Sequence, residues 1–214
     1  MDEDINIINT NTKNEKIKNF FINNRRRLLI LVTTIILIIF GYFIFGEIKQ
    51  KNKLKLADQY NASKINFING NETNVQSEMI RIVEATDRTY SPLALYFLID
   101  NNIVTSNKKI NELFNILIND TNLEKEIKNL IIYKKGLYNS DFESENNLLE
   151  ILNPLINSES IWKSHALHLL AEYFYSNNEK QKAKEFFEKI VILENSNPNI
   201  KSDAQKRINR DFSE

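Results

Sequence analysis

Cysteine is absent from this chain of 214 residues, and glycine, proline and histidine are scarce, with four, three and two residues. Without cysteine the chain forms no disulfide, no thiolate zinc site and no cysteine nucleophile. The four glycines are scattered, which excludes a glycine-rich phosphate-binding loop. No serine stands in the sequence context of a hydrolase nucleophile. We therefore expect a protein that is not an enzyme and that carries no cofactor.

Charge is balanced over the whole chain, with 28 Lys and Arg residues and 28 Asp and Glu residues. From Asn52 onward the two counts are 20 and 23, which gives this part a net charge of −3. A nucleic-acid binder needs a concentrated basic surface, so nucleic acid is not an expected partner. No motif indicates a small-molecule substrate either.

One uncharged apolar stretch, Leu28–Phe45, has the composition of a membrane-spanning helix. A helix of this length extends roughly 27 Å, close to the hydrocarbon thickness of a bilayer. Thr33 and Thr34 do not disqualify the stretch, because hydroxyl groups in a helix bond to carbonyls of the same helix. A secretory signal peptide has a shorter apolar region and then small residues at a cleavage site, a pattern that does not follow Phe45.

Three arginines, Arg25, Arg26 and Arg27, directly precede this stretch and set its expected orientation. Cations next to a membrane helix favour the cytoplasmic side, so we expect a cytoplasmic N-terminus. The chain then divides into a cytoplasmic tail at 1–27, a transmembrane helix at 28–46 and a periplasmic domain at 47–214 of a bacterial inner-membrane protein. The residues that represent the anchor are Leu28, Leu31, Ile36, Phe40 and Phe45.

Apolar residues after the anchor recur with helical spacing, and no stretch alternates with the period of two typical of strands. The pattern predicts an all-α fold of eight or nine short helices arranged as hairpins. Ser91 followed by proline indicates a helix start with Ser91 as the N-cap, and that helix is expected to reach about Ile103. Asn107 is expected to cap the next helix, and a turn is expected at Asn119–Asn122.

One predicted hairpin, at 162–198, has the spacing of a tetratricopeptide repeat. Small residues let its two helices approach closely, and aromatic residues fill the remaining groove. The residues at these positions are Leu167, Leu170, Ala171, Phe174, Ala183 and Phe187. A single repeat cannot bury its apolar face alone, so we expect a tetratricopeptide-like solenoid that ends in a capping helix at 199–210.

The same hairpin contains the two histidines. His165, His168 and Glu172 share a helix face with spacings of three and four residues, as metal ligands on a helix do. The chain has no further histidine or cysteine to complete such a site. We therefore predict no metal site, and solvated or packed histidines are the simpler interpretation.

Three consecutive aromatic residues, at 173–175, cannot all face one core from a single helix. Phe174 and Phe187 are core positions of the predicted repeat. We therefore expect the side chains of Tyr173, Tyr175 and Phe186 to lie outside the core of this hairpin. These three side chains either pack against a neighbouring hairpin or form a surface for a partner, since aromatic residues dominate interface hot spots.

Three short segments resemble the YfgM family, the ancillary subunit of the bacterial SecYEG translocon. They are Lys16–Asn24 before the basic cluster, Thr89–Ala94 at a predicted helix start, and Ile161–Ser164 before the best-matching hairpin. The resemblance implies a single-pass membrane scaffold with a periplasmic tetratricopeptide-like domain. Its implied partners are the SecYEG-type translocon and a periplasmic chaperone. Two alternatives remain: an adaptor for envelope assembly or cell division, and a helical cell-wall hydrolase.

Overall fold

The structure is a computed structural model that describes residues 2–71 and 73–212, with side chains from Glu15 onward except that of Ile17. Residues 1, 72, 213 and 214 of the predicted domains lie outside this description. Every regular element in the described ranges is a helix, which confirms the all-α prediction. The chain divides into two compact units between Lys55 and Leu56.

Helix α1, Asp2–Ile68, contains the predicted anchor and continues beyond it without a break at residue 46. The hydroxyls of Thr33 and Thr34 each donate to the carbonyl four residues earlier, at 2.8 Å. These two bonds satisfy both threonine hydroxyls within the helix, as the sequence predicts. Within the described residues, α1 is the one helix that is long and apolar enough, by length and composition, to cross a membrane.

Gly70 ends α1. Its φ of +75° lies in the left-handed region that glycine adopts without strain. The Gly70 N–H donates to the Phe67 carbonyl at 3.0 Å, and the Asn71 N–H donates to the Asn66 carbonyl at 2.9 Å. Both bonds satisfy carbonyls at the end of the helix.

The second unit consists of short helices that follow one another in hairpins. They are α2 (Val75–Glu84), α3 (Tyr90–Asp100), α4 (Asn107–Asn115), α5 (Lys125–Asn139), α6 (Glu145–Ile156), α7 (Lys163–Ser176), α8 (Lys180–Ile192) and α9 (Pro198–Asp211). One apolar cluster lies around Met79 and Phe114, and another lies around Leu152 and Phe187. Helix α5 contributes to both clusters and therefore joins the two halves of this unit.

The predicted capping role of Ser91 is wrong. Helix α3 begins one residue earlier, at Tyr90, and the side chain of Ser91 is buried inside the unit. Its hydroxyl donates to the Ile82 carbonyl at 2.7 Å and accepts from the Asp87 N–H at 2.8 Å. Thr89 is the N-cap residue, and the carboxylate of Asp87 satisfies the start of the helix, because its Oδ1 accepts from the N–H groups of Thr89 and Tyr90, both at 2.8 Å.

Two further predicted boundaries around α4 are also wrong. Helix α3 ends at Asp100, before the predicted residue, and Asn102 then adopts a φ of 51°, which a right-handed helix does not allow. Helix α4 is capped by Ser106, whose Oγ accepts from the Lys109 N–H at 3.3 Å. Asn107 is the first residue of α4 and not its cap, so its side chain is free to contact another helix.

The predicted turn at 119–122 begins too early. A π-helical segment, Ile116–Asp120, continues α4 through the first two residues of that turn. The Thr121 N–H closes the segment by donating to the Ile116 carbonyl at 3.1 Å. The asparagine and aspartate at these positions favour turns, but the wider helical turn accommodates them.

Helices α7, α8 and α9 pack against one another in sequence order. All six residues that match the repeat pattern are buried, from Leu167 to Phe187. The predicted burial of these positions is therefore confirmed, while the stacking of the hairpins into a tetratricopeptide-like solenoid stays a prediction. Helix α9 begins with Pro198, and Asn197 Oδ1 accepts from two of its first N–H groups at 3.0 and 3.4 Å.

Candidate binding groove

The second unit contains a groove of about 700 Å³ that lies between α4 and α6, over α5. We call it the α4–α6 groove. Its α4 wall carries Asn107, Asn111, Glu112 and Asn115, its floor carries Ile132 and Lys135, and its α6 wall carries Glu150 and Ile151. Sites for small ligands and peptide segments have volumes of about 300–1,000 Å³, so the groove is large enough to bind one.

A pair of asparagines fixes α4 against α5 at the base of this groove. Asn111 Nδ2 donates to Asn139 Oδ1 at 2.8 Å, and Asn139 Nδ2 donates back to Asn111 Oδ1 at 2.9 Å. Asn139 is fully buried and also donates to the Lys135 carbonyl at 2.7 Å. Buried polar groups must find partners, so this reciprocal pair specifies how the two helices align.

Two more hydrogen bonds join the same helices on either side of that pair. The Tyr138 hydroxyl donates to Asn107 Oδ1 at 2.8 Å, and Lys135 Nζ donates to Asn115 Oδ1 at 2.8 Å. Because an ammonium group only donates, Asn115 must turn its oxygen toward Lys135. The Nδ2 group of Asn115 therefore points away from Lys135 and forms no hydrogen bond in the part of the chain that the structure describes.

Lys135 is an unusual residue for the floor of a groove. Burial lowers the pKa of its ammonium group, while the nearby Glu150 and Glu143 carboxylates raise that pKa in part. Its hydrogen-bond partner is the neutral amide of Asn115, and its ammonium forms no ion pair with the described residues. A partly desolvated cation without a carboxylate partner costs stability, which is a common property of binding residues.

The position of the α6 wall depends on Gly136 of α5. A Cβ atom at this position would lie 2.5 Å from Leu152 Cδ2 of α6. Only glycine lets the α5 backbone approach that buried leucine without a clash. Gly136 therefore sets the separation of the two helices beneath the groove.

The three predicted partner-surface residues, Tyr173, Tyr175 and Phe186, are all half-buried and pack against the second apolar cluster. The Tyr173 hydroxyl donates to the Glu143 carbonyl at 3.2 Å, and the Arg207 guanidinium carbon lies 4.3 Å from the centre of the Tyr175 ring. Phe186 stacks on a buried phenylalanine with the ring centres 5.4 Å apart. Each residue thus contacts its own chain, and a role in partner binding stays a prediction.

Phe186 also lines a second cleft, of about 510 Å³, between the end of α6 and α8. Leu167 and Leu193 line the same cleft, and Ile192 at its edge is 78% exposed. Of the three aromatic residues, Phe186 therefore lies nearest to an open apolar surface.

The two histidines have separate environments. His165 packs between Tyr133 and Trp162, with ring centres 5.7 and 5.0 Å away. Burial lowers the pKa of His165, and an interaction with the Ile161 backbone offsets part of this decrease. His168 Nε2 instead lies 2.9 Å from Asp203 Oδ2 of α9. The two imidazoles therefore do not form a joint site, although they share a helix.

His168, Glu172 and Asp203 bring three potential metal ligands within 4.8 Å of one another. However, Arg207 donates to both carboxylate oxygens of Glu172, at 2.9 and 2.6 Å, and to Asp211 at 2.8 Å. The Glu172 carboxylate is therefore already neutralised by a cation. The network connects α9 to α7, and we interpret it as a structural ion-pair cluster.

Sequence analysis did not identify the groove residues, although one signal was present. Asn107, Asn111 and Asn115 recur at intervals of four residues and therefore share a face of α4. Asparagine is so frequent in this chain that the interval does not stand out. No protein-family model, curated protein or solved structure matches the chain.

Proposed function

We propose that this protein is a membrane-anchored, non-enzymatic adaptor with its helical domain in the bacterial periplasm. The observation that carries the proposal is the apolar surface of α1 between residues 28 and 45. Leu31, Ile36, Phe40 and Phe45 are between 54% and 69% exposed, and no described residue of the first unit covers this stretch. Exposed apolar area costs about 25 cal/mol per Å² in water, so a lipid environment accounts for such a surface.

The flanking charges support an orientation with the N-terminus in the cytoplasm. Arg25, Arg26 and Arg27 are exposed and directly precede the apolar stretch. Six Lys and Arg residues precede the stretch within about fifteen positions, and four lysines follow it within ten, at positions 49, 51, 53 and 55. The asymmetry favours retention of the arginine side in the cytoplasm.

The proposed partners are subunits of a SecYEG-type translocon and a periplasmic chaperone. The resemblance to the YfgM family supports this choice, together with the hairpin packing that a tetratricopeptide-like scaffold requires. Anchoring in the membrane raises the effective concentration of the scaffold near a membrane complex, so weak contacts suffice for binding.

Crosslinking in intact membranes, followed by purification and mass spectrometry, tests the partner. Recovery of translocon or chaperone subunits is the expected result. Recovery of envelope-assembly or division proteins in their place supports the alternative adaptor role. Clearing of peptidoglycan by the purified chain in a zymogram contradicts the non-enzymatic proposal and supports the hydrolase.

Protease added to spheroplasts tests the topology separately. We expect digestion of the domain after residue 47 and protection of the segment before Arg25. In a variant with glutamine at all three arginines, a smaller fraction of the molecules should adopt this orientation. A matched variant with glutamine at Lys49, Lys51 and Lys53 removes the same charge from the other flank and should retain it.

A further inference from the structure

The α4–α6 groove presents hydrogen-bond donors that the protein itself does not use. Asn107 and Asn115 each use their amide oxygen to accept from α5, which leaves both Nδ2 groups without a partner among the described residues. Lys135 uses one of its three N–H groups in the bond to Asn115. The groove therefore complements a ligand that carries a series of acceptor oxygens.

The spacing of these donors fits an extended polypeptide. Eight residues separate Asn107 from Asn115, a distance of about 12 Å along a helix. An extended chain rises about 3.3 Å per residue, so about four residues separate the carbonyls that reach the two amides. The apolar floor and wall, Ile132 and Ile151, can accept one side chain that points inward.

The groove is lined by three carboxylates and two cations. The carboxylates belong to Glu112, Glu143 and Glu150 and the cations to Lys108 and Lys135, and Glu112 pairs with Lys109 outside the groove at 3.9 Å. Glu150 is exposed and makes no hydrogen bond or ion pair in the described part of the chain. A ligand with a basic side chain beside this carboxylate gains an ion pair.

We propose that the α4–α6 groove binds an extended polypeptide segment that combines an apolar side chain with a lysine or arginine. Backbone carbonyls of the segment accept from Asn107, Asn115 and Lys135, its apolar side chain contacts Ile132, and its cation pairs with Glu150. This assignment rests on the proposed adaptor function and names the class of segment that the adaptor recognises.

Fluorescence anisotropy with the full chain in a neutral detergent tests the assignment. The probe is a dye-labelled octapeptide of serine and glycine that carries one leucine and two lysines. Two matched probes replace both lysines with serine or with glutamate, and empty micelles correct for binding to detergent. We expect saturable binding that weakens from the lysine peptide to the serine peptide to the glutamate peptide. The lysine peptide should bind about two- to fivefold more tightly than the serine peptide, as an ion pair with an exposed carboxylate gives.

Matched variants separate the groove from overall charge. Glu150→Gln should reduce the preference for lysine over serine to less than twofold, because it removes the proposed ion pair. Glu188→Gln removes the same charge from an exposed position of α8 outside the groove and should leave the preference unchanged. Asn115→Ala should weaken all three peptides equally, because it removes a donor to the backbone. Circular dichroism confirms that each variant is folded.

Equal binding of the three peptides, or an equal effect of Glu188→Gln and Glu150→Gln, overturns the assignment. The adaptor function itself is tested by crosslinking the same variants in membranes. If the chain crosslinks its partners but shows no peptide preference, the adaptor stands and the groove assignment is wrong. If the peptide preference is present and no membrane partner is recovered, the groove assignment stands and the adaptor is wrong.

Discussion

Replacement of Gly136 by alanine tests whether the contact between α5 and α6 requires a residue without a Cβ atom. In the native chain, the three atoms nearest to the position of an added Cβ all belong to Leu152, at 2.5, 3.0 and 3.4 Å. Leu152 is fully buried, so its side chain cannot move aside into solvent. The added methyl group must therefore displace either the leucine or one of the helices.

Two opposing terms set the magnitude of the effect. Alanine in place of glycine stabilises a helix by about 1 kcal/mol. Overpacking of a well-packed core costs about 1–3 kcal/mol. The net expectation is a destabilisation of about 1 kcal/mol, which lowers the melting temperature of a unit of this size by about 2–4 °C.

Urea unfolding of the full chain in mild detergent, followed by circular dichroism, measures this change. A Leu152→Ala background removes the atoms that clash, so Gly136→Ala should then stabilise the chain by about 1 kcal/mol. The matched background is Leu148→Ala. Leu148 is equally buried in α6 but supplies none of the three nearest atoms, so Gly136→Ala should remain destabilising there.

Stabilisation of the native chain by Gly136→Ala would contradict the clash with Leu152. The clash is also contradicted if the two alanine backgrounds give the same change, because the effect then does not arise from the contact with Leu152. An unfolded Gly136→Ala chain in which Leu152→Ala restores folding supports the same contact by a stronger effect.

Three further predictions concern single side chains, each measured by thermal unfolding of the full chain. Burial, with a smaller contribution from Asp100, raises the pKa of Tyr96 to about 12, and the Tyr96 hydroxyl has no hydrogen-bond partner among the described residues. Tyr96→Phe removes this unsatisfied group and should raise the melting temperature. A lower melting temperature would contradict this expectation. Lys135→Met should also raise the melting temperature, because the cost of burying the ammonium group disappears and the exposed Asn115 can bond to water instead. A lower melting temperature would mean that the hydrogen bond from Lys135 to Asn115 stabilises the fold. Because burial lowers the pKa of His165, the unfolded chain binds more protons as the pH falls through about 6.5, and stability falls with it. His165→Gln should therefore lose less stability than the native chain between pH 7.5 and 5.5, and an equal loss contradicts the assignment.

The helical class and the core of the last hairpins could be predicted from the sequence, because apolar spacing directly reports which face of a helix is buried. The alanine and phenylalanine positions of α7 and α8 were identified in this way. The apolar stretch of α1 is similarly evident, since its length and lack of charge need no tertiary information.

Helix ends were harder to predict because several polar residues compete for each cap. Ser91 precedes a proline, which is a strong local signal for a helix start. The carboxylate of Asp87 reaches the first N–H groups of α3 instead, while the serine hydroxyl bonds to the Ile82 carbonyl of the preceding helix. Only the packing of α2 against α3 decides between these arrangements.

The groove and the ion-pair cluster lay beyond sequence analysis for a different reason. Asn111 and Asn139 are 28 residues apart, and His168 and Asp203 are 35 residues apart. Hydrophobic periodicity contains no information on which polar side chains meet across helices. Their contacts follow from the order in which the helices stack.

The reciprocal amide pair between α4 and α5 restricts how this protein can evolve. Asn111 and Asn139 each donate one hydrogen bond to the other and accept one from it. Aspartate at either position would therefore place two acceptor oxygens next to each other. Glutamine is one methylene longer and would force the helices apart. Positions 111 and 139 should therefore covary among homologous chains. Both should be asparagine, or both should be apolar in the same chain.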